Sequence, residues 1–155
     1  MQSAARFFFS QPTFAVAGAS SNPHKFGHKI FAWYLAHDLH AIPINPTMSS
    51  VEVQGQHFDT IASVAELKDP ARAALSVITP PAVTAKVLRE AKAAGVRAVW
   101  LQPGAFTEEE LEYAVQNFPG GAVAGFAGGT VGAEGWCVLV DGEAAMSAAG
   151  TAEKL

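Results

Sequence analysis

Few residues of this chain are placed to do chemistry, and most of them sit in one loop. Gly18-Ala-Ser-Ser-Asn-Pro-His-Lys-Phe-Gly27 joins a glycine, two hydroxyl residues and a lysine just ahead of a segment with helical periodicity. A glycine lets backbone come close to a ligand, and the free N–H groups of a helix starting near Gly27 favour an anion. A phosphate or pyrophosphate is the natural guest; the plainer alternative is a strand-to-helix turn. Three more short loops, Asn45-Pro46, Thr79-Pro80-Pro81 and Gln102-Pro103-Gly104, also follow apolar runs.

A nicotinamide dinucleotide is the first ligand to test against these loops. Its fingerprint is G-x-G-x-x-G after the first strand, and here Ser20 and Pro23 stand where the second and third glycines belong. An acid for the adenine ribose, or an arginine for a 2'-phosphate, is expected at the end of the second strand, where this chain has Asn45 and Pro46. NAD and NADP are demoted accordingly. His24, His28, His37, His40 and His57 share no metal-ligand spacing with cysteines or acids. No G-x-S-x-G is present, and Glu108 to Glu110 reads as helix capping rather than acid-base machinery. No catalytic set emerges.

The elements that must hold these loops alternate between strand and helix. Thr13-Phe-Ala-Val-Ala17 is wholly apolar, as a strand buried on both faces should be. Gly27 to His37 carries Ile30, Phe31, Tyr34 and Leu35 at helical spacing, and Ala41-Ile-Pro-Ile44 reads as the second strand. Residues 47–62 suggest an ordered excursion with one short strand, and Ser63-Val-Ala-Glu66 has the form of a capping box opening a brief helix. Ala73 to Ile78 is the next strand, and Ala82 to Ala94 a helix with Val83, Val87, Leu88 and Ala91 on one face and Gly95 as its stop. Val96 to Leu101 follows as a strand. Thr107 to Glu110 is a second capping box, opening a helix with Leu111, Ala114, Val115 and Phe118 on its apolar face. Trp136-Cys-Val-Leu-Val140 is read as the last strand, preceded by a glycine-rich insertion, 120–135, and followed by an alanine-rich tail, 143–155, expected to fray. Ser3 to Ser10 is expected to form a short helix covering a sheet edge. The whole predicts one α/β, Rossmann-like domain over 1–155: an open parallel sheet of about five strands, order 3-2-1-4-5, with helices on both faces and ligands outside the carboxyl ends of the strands.

Bulk properties bound the partners. At 155 residues the chain is the size of one domain, and its net charge of -4 supplies no basic field for a nucleic-acid backbone or an anionic membrane. No apolar run approaches the ~20 residues needed to span a bilayer. The single Cys137 cannot form an internal disulfide, which favours a cytoplasmic setting, with a mitochondrial one left open. It reads as a buried, inert thiol in preference to a reactive one.

Val16-Ala-Gly-Ala-Ser-Ser-Asn-Pro23, with Lys25 and Gly27, resembles the opening of the small CoA-binding proteins related to the N-terminal domain of the succinyl-CoA synthetase alpha subunit. Pro43-Ile-Asn-Pro46 and Ala98-Val-Trp-Leu-Gln-Pro-Gly104 are similar to that family's second-strand ending and fourth-strand motif, so the likeness runs from about Phe14 to Phe118. The resemblance implies that coenzyme A or an acyl-CoA is the ligand. Gly18, Ala19 and Ser20 would receive its pyrophosphate, Lys25 would offer charge to a phosphate, and Phe26 and Gly27 would belong to the same loop. Asn45 and Pro46 would border the adenosine, Thr79 and Pro80 would line the middle of the cofactor, and Gln102, Pro103 and Gly104 would lie near the pantetheine path. Two departures stand out: Thr47 and Met48 follow the Asn-Pro pair where the family commonly has a basic residue, and Asp141-Gly142-Glu143 stands where it has a cysteine.

Ligase chemistry of the synthetase needs a phosphorylated histidine on a further domain, so the expectation is a binding or regulatory module without chemistry of its own. The alternatives are an enzyme acting on an acyl-CoA, a nicotinamide oxidoreductase with an atypical loop, or a scaffold that has lost its ligand. The insertion 120–135 is either a lid over the cofactor's thiol end or an edge hairpin or surface loop. A protein partner or a second copy of the chain remains open.

Overall fold

Four of the five residues of β1 (Thr13–Ala17) are buried, which places it mid-sheet. The computed structural model describes residues 1–150 and shows β1 paired in parallel with β2 (Ala41–Ile44) on one side and β5 (Ala73–Val77) on the other. β6 (Ala98–Leu101) and the two-residue β7 (Ala122–Val123) extend the parallel sheet beyond β5. Between β2 and β5, β3 (Ser50–Val53) and β4 (Gln56–Asp59) form a separate antiparallel hairpin. Its turn residues Gln54 and Gly55 both have positive φ, 55° and 76°, the twist a two-residue hairpin turn requires.

The open parallel α/β sheet is as expected, but its strands run β2-β1-β5-β6-β7. Counted over its own members the order is 2-1-3-4-5, not 3-2-1-4-5. The position outside β2 is taken by an isolated bridge between Ile44 and Ile61, so the third strand crosses back to β1. The direction of winding therefore reverses between β1 and β5, and ligands bind at such a switch point.

Alternation along the strands divides the core in two. Phe14, Val16, Ala74, Ala98 and Trp100 face α1 (Gln2–Phe9), α2 (Phe26–Ala36) and α5 (Val138–Ala148). Ala15, Ala17, Leu75, Val77, Val99 and Leu101 face α3 (Pro81–Ala94) and α4 (Glu108–Asn117). The N-terminal helix forms as expected, but it covers a sheet face: Phe8 and Phe9 pack on Phe14 and Trp100 at ring-centroid distances of 5.4–6.0 Å. Gly95 ends α3 with φ 96°. On α3, Thr84 takes the buried place expected of Val83, which is 45% exposed, and on α4 Val115 is likewise turned outward.

The last strand differs most. Trp136-Cys-Val-Leu-Val140 does not enter the sheet: Val138 begins α5, and the fifth strand is β7, inside the glycine-rich span. A short unbroken apolar run has the same appearance in a buried helix and a buried strand, so periodicity could not separate them. Asp141 decides for the helix, its carboxylate accepting the Cys137 N–H at 3.1 Å. Cys137 is accordingly the residue before a helix and not part of a strand. The helix also occupies residues 143–148, where fraying was expected; 151–155 lie outside the described residues. Ser63 to Glu66 forms only a 3-10 turn, with Glu66 accepting the Ala62 N–H in place of a reciprocal capping box. At Thr107 the box is present, with Glu110 accepting both the backbone N–H (2.7 Å) and the hydroxyl (2.8 Å) of Thr107.

Candidate functional site

Two glycines shape the carboxyl end of the sheet by permitting contacts that no other residue could make. Gly18, at φ 98°, lies so close to the residue after β5 that a Cβ would sit 2.2 Å from the Ile78 carbonyl oxygen. A Cβ on Gly27 would sit 1.9 Å from the Gly18 carbonyl oxygen. The first turn of α2 thus rests directly on the loop after β1, and its N-terminus is aimed along the switch-point cleft. No side chain caps that end of the helix. The Lys25 and His28 N–H groups donate to the Asn22 and Lys25 carbonyls, and the remaining N–H groups of the first turn, with the positive end of the helix dipole, make it a place for an anion.

Hydrogen bonds fix the loop between them. The Ser20 hydroxyl accepts the Asn22 N–H at 3.1 Å, which leaves its own hydrogen free to donate. The Asn22 side-chain oxygen accepts the His24 N–H, and the Asn22 carbonyl accepts the Lys25 N–H, each at 3.0 Å. His28 Nδ1 meets the Ser20 carbonyl at 2.9 Å. Asn45 ties the end of β2 to this loop: its Nδ2 donates to the Ala19 carbonyl at 3.0 Å, and its oxygen accepts from the backbone and hydroxyl of Thr47 and from the Met48 N–H. The Thr84 hydroxyl donates to the Thr79 carbonyl at 3.1 Å and pairs with the Thr79 hydroxyl at 2.7 Å.

The result is an open cleft of about 650 Å³, within the usual range for small-molecule sites. It brings together Gly18, Ala19, Ser20, Lys25, Phe26 and Gly27 from the first loop with Asn45 and Pro46, Thr79 and Pro80, and Pro103 and Gly104. Ile44 and Ile78 also line it and escaped the sequence reading; His24, which the sequence places at the polar rim of the loop, lines it too. The two isoleucines are flanking residues of parallel strand ends, which alone could have marked them; His24 lies inside the loop already singled out.

Gln102 is the exception. It is fully buried beneath the cleft, its Nε2 donating to Ser76 Oγ at 2.9 Å and its oxygen accepting the Val138 N–H at 3.0 Å. Its side chain joins β5, β6 and α5 and does not line the cleft, unlike Pro103 and Gly104 beside it. The neighbouring Tyr34 hydroxyl is buried close to Ser76, and burial pushes its pKa well above the usual phenol range against the opposing pull of that serine. Burial also pushes the Cys137 thiol up, against the opposing pull of the Leu139 and Val140 amides.

The insertion 120–135 lines no part of the cleft. It folds toward α1 and α5, where Asp141 accepts the Thr130 hydroxyl and the Val131 N–H, and Trp136 Nε1 donates to the Ala127 carbonyl at 2.6 Å. A second cavity, of about 350 Å³, lies there between α1 and α5 but has no phosphate-type loop. Among the described residues no group of three His, Cys, Asp or Glu could hold a metal, and no helix is long and apolar enough to cross a membrane.

A family model described as CoA binding domain matches residues 12–127. The chain belongs to the CoA-binding domain family. The match starts just before β1 and ends just after β7, so α1 and α5 lie outside it. This CoA-binding domain is similar to a conserved hypothetical protein from Pyrococcus furiosus, at 34% identity over 68% of this chain and 86% of that one, TM-score 0.59. It is also similar to a protein from Thermus thermophilus, at 29% identity over 80% and 90% of the two chains, TM-score 0.65. A hypothetical protein from Pyrococcus horikoshii OT3, 22% identical over 79% of this chain and 81% of that one, shares the fold at TM-score 0.63.

Proposed function

We propose that this CoA-binding domain holds CoA or an acyl-CoA in the switch-point cleft, as a binding or regulatory module of the cytoplasm. The observation that carries the reading is the uncapped start of α2 pressed onto the Gly18 loop. The diphosphate lies against the amides of Ala19 and Ser20 and of the first turn of α2, close to Gly18, whose own N–H donates to the Ile44 carbonyl at 3.3 Å, with the Ser20 hydroxyl donating and Lys25 adding charge. Asn45 and Pro46 border the adenosine, Thr79 and Pro80 the middle of the cofactor, and Pro103 and Gly104 the pantetheine arm.

Binding is favoured over catalysis because two of the cleft's polar side chains, Asn45 and Thr79, are committed to its architecture and the rest are donors suited to phosphate. The Asn45 amide holds two loops together, and the Thr79 hydroxyl is paired with Thr84. Calorimetric titration with CoA, acetyl-CoA, NAD and NADP tests the reading. Heat with the CoA compounds alone is expected; heat with a nicotinamide alone would overturn it. In thermal unfolding, CoA at a hundred times its Kd should add ~2.7 kcal/mol of stability, whereas a scaffold without a ligand would show no shift.

A further inference from the structure

The cleft carries its positive charge at one end only. Lys25 and His24 line it at the first loop, and Lys29 follows on α2, 5.3 Å from the centre of the Phe26 ring. At the other end, where β2 runs out, the picture reverses: the whole stretch 30–67 contains no lysine or arginine. The Asn45 oxygen is taken up by Thr47 and Met48 and one of its two amide hydrogens by Ala19, which leaves a single neutral N–H, the Thr47 hydroxyl donates to Asn45, and Met48 is 53% exposed. The adjoining hairpin brings Glu52, Asp59 and His57, with Glu52 and His57 paired at 3.1 Å. That hairpin is tied to the first loop, since the Glu52 N–H donates to Ser21 Oγ at 2.8 Å.

In dinucleotide-binding sheets the adenosine ribose rests at the end of the second strand, and its 2'-phosphate is accommodated by an arginine near that point; the CoA reading places the adenosine at the same strand end here. CoA differs from dephospho-CoA only in a phosphate on that ribose. Of the residues that line the cleft at that end, Ile44, Asn45 and Pro46, none is a cation. Resting on the CoA reading above, we propose that the cleft recognises the diphosphate and the pantetheine arm and does not read the ribose phosphate. Its ligand class then includes dephospho-CoA and other ADP-pantetheine compounds as well as CoA.

The test is a calorimetric comparison of CoA and dephospho-CoA with the full chain at pH 8, above the range in which histidine ordinarily charges. The two Kd values are expected to agree within about fivefold, the most an exposed ion pair contributes. CoA tighter by more than that would overturn the inference while leaving the CoA reading intact. No heat with either ligand would overturn both. A gain-of-charge variant locates the ribose: Met48→Lys, at an exposed position, should tighten CoA but not dephospho-CoA and raise their Kd ratio about threefold to fivefold. An unchanged ratio in that variant would place the ribose elsewhere and sink the argument.

Discussion

The two ends of the chain hold their loops by different means. After β1, close backbone contacts and short-range bonds set the geometry: Gly18 and Gly27 touch neighbouring carbonyls, and the Ser20 and Asn22 side chains accept from N–H groups two residues on, with Asn45 and Ser21 reaching farther. After β7, buried side chains set it: Gln102 reaches Val138, Trp100 Nε1 donates to the Trp136 carbonyl at 3.2 Å, and Asp141 gathers Thr130, Val131 and Cys137. A ligand cleft built from backbone leaves N–H groups facing outward. A cap built from side-chain polar groups uses those groups up, and this is why the cleft and not the glycine-rich span is the candidate site.

Substitutions can break this contrast. The largest effect is expected at Gly27→Ala, where the added Cβ has a carbonyl oxygen 1.9 Å away. The start of α2 must shift, at a cost of about 3 kcal/mol in urea unfolding, with CoA binding lost; retention of both would show that α2 does not need this contact. Gln102→Ala should cost about 2–3 kcal/mol, because it leaves Ser76 Oγ and the Val138 N–H without partners and opens a cavity. Its signature is lost hydrogen-exchange protection across 125–141, with CoA affinity changed by less than about threefold at temperatures where the variant stays folded. A collapse of affinity in the folded variant would mean that the two regions are coupled. Asp141→Asn should cost about 1–2 kcal/mol and loosen the same segment while sparing the cleft. Lys25→Ala should leave the unfolding midpoint in place and weaken CoA binding about fivefold, a loss that shrinks as salt is raised.

What could be read beforehand follows the same division. Glycine and proline positions, apolar runs and the Thr107 capping box act locally, so the first loop, both central strands and α3 were legible from residues close together in the chain. Gln102 sits in a motif that looked like part of the ligand path, and only the 36-residue reach to Val138 shows that its side chain is buried among helices and strands. Trp136 to Val140 offered no periodicity, and the helix there depends on Asp141, Trp100 and Gln102 acting together. The excursion at 47–62 proved to be a hairpin of four-residue strands, whose Ser50-Val-Glu-Val53 alternation is too short to stand out.

Amide chemical shifts during a CoA titration of the uniformly ¹⁵N-labelled chain test the account most directly. Saturating movement centred on Ala19, Ser20, Phe26 and Gly27, with Gly128 to Val131 unmoved, is the predicted outcome. Movement centred on the glycine-rich span, with the first loop silent, would contradict it.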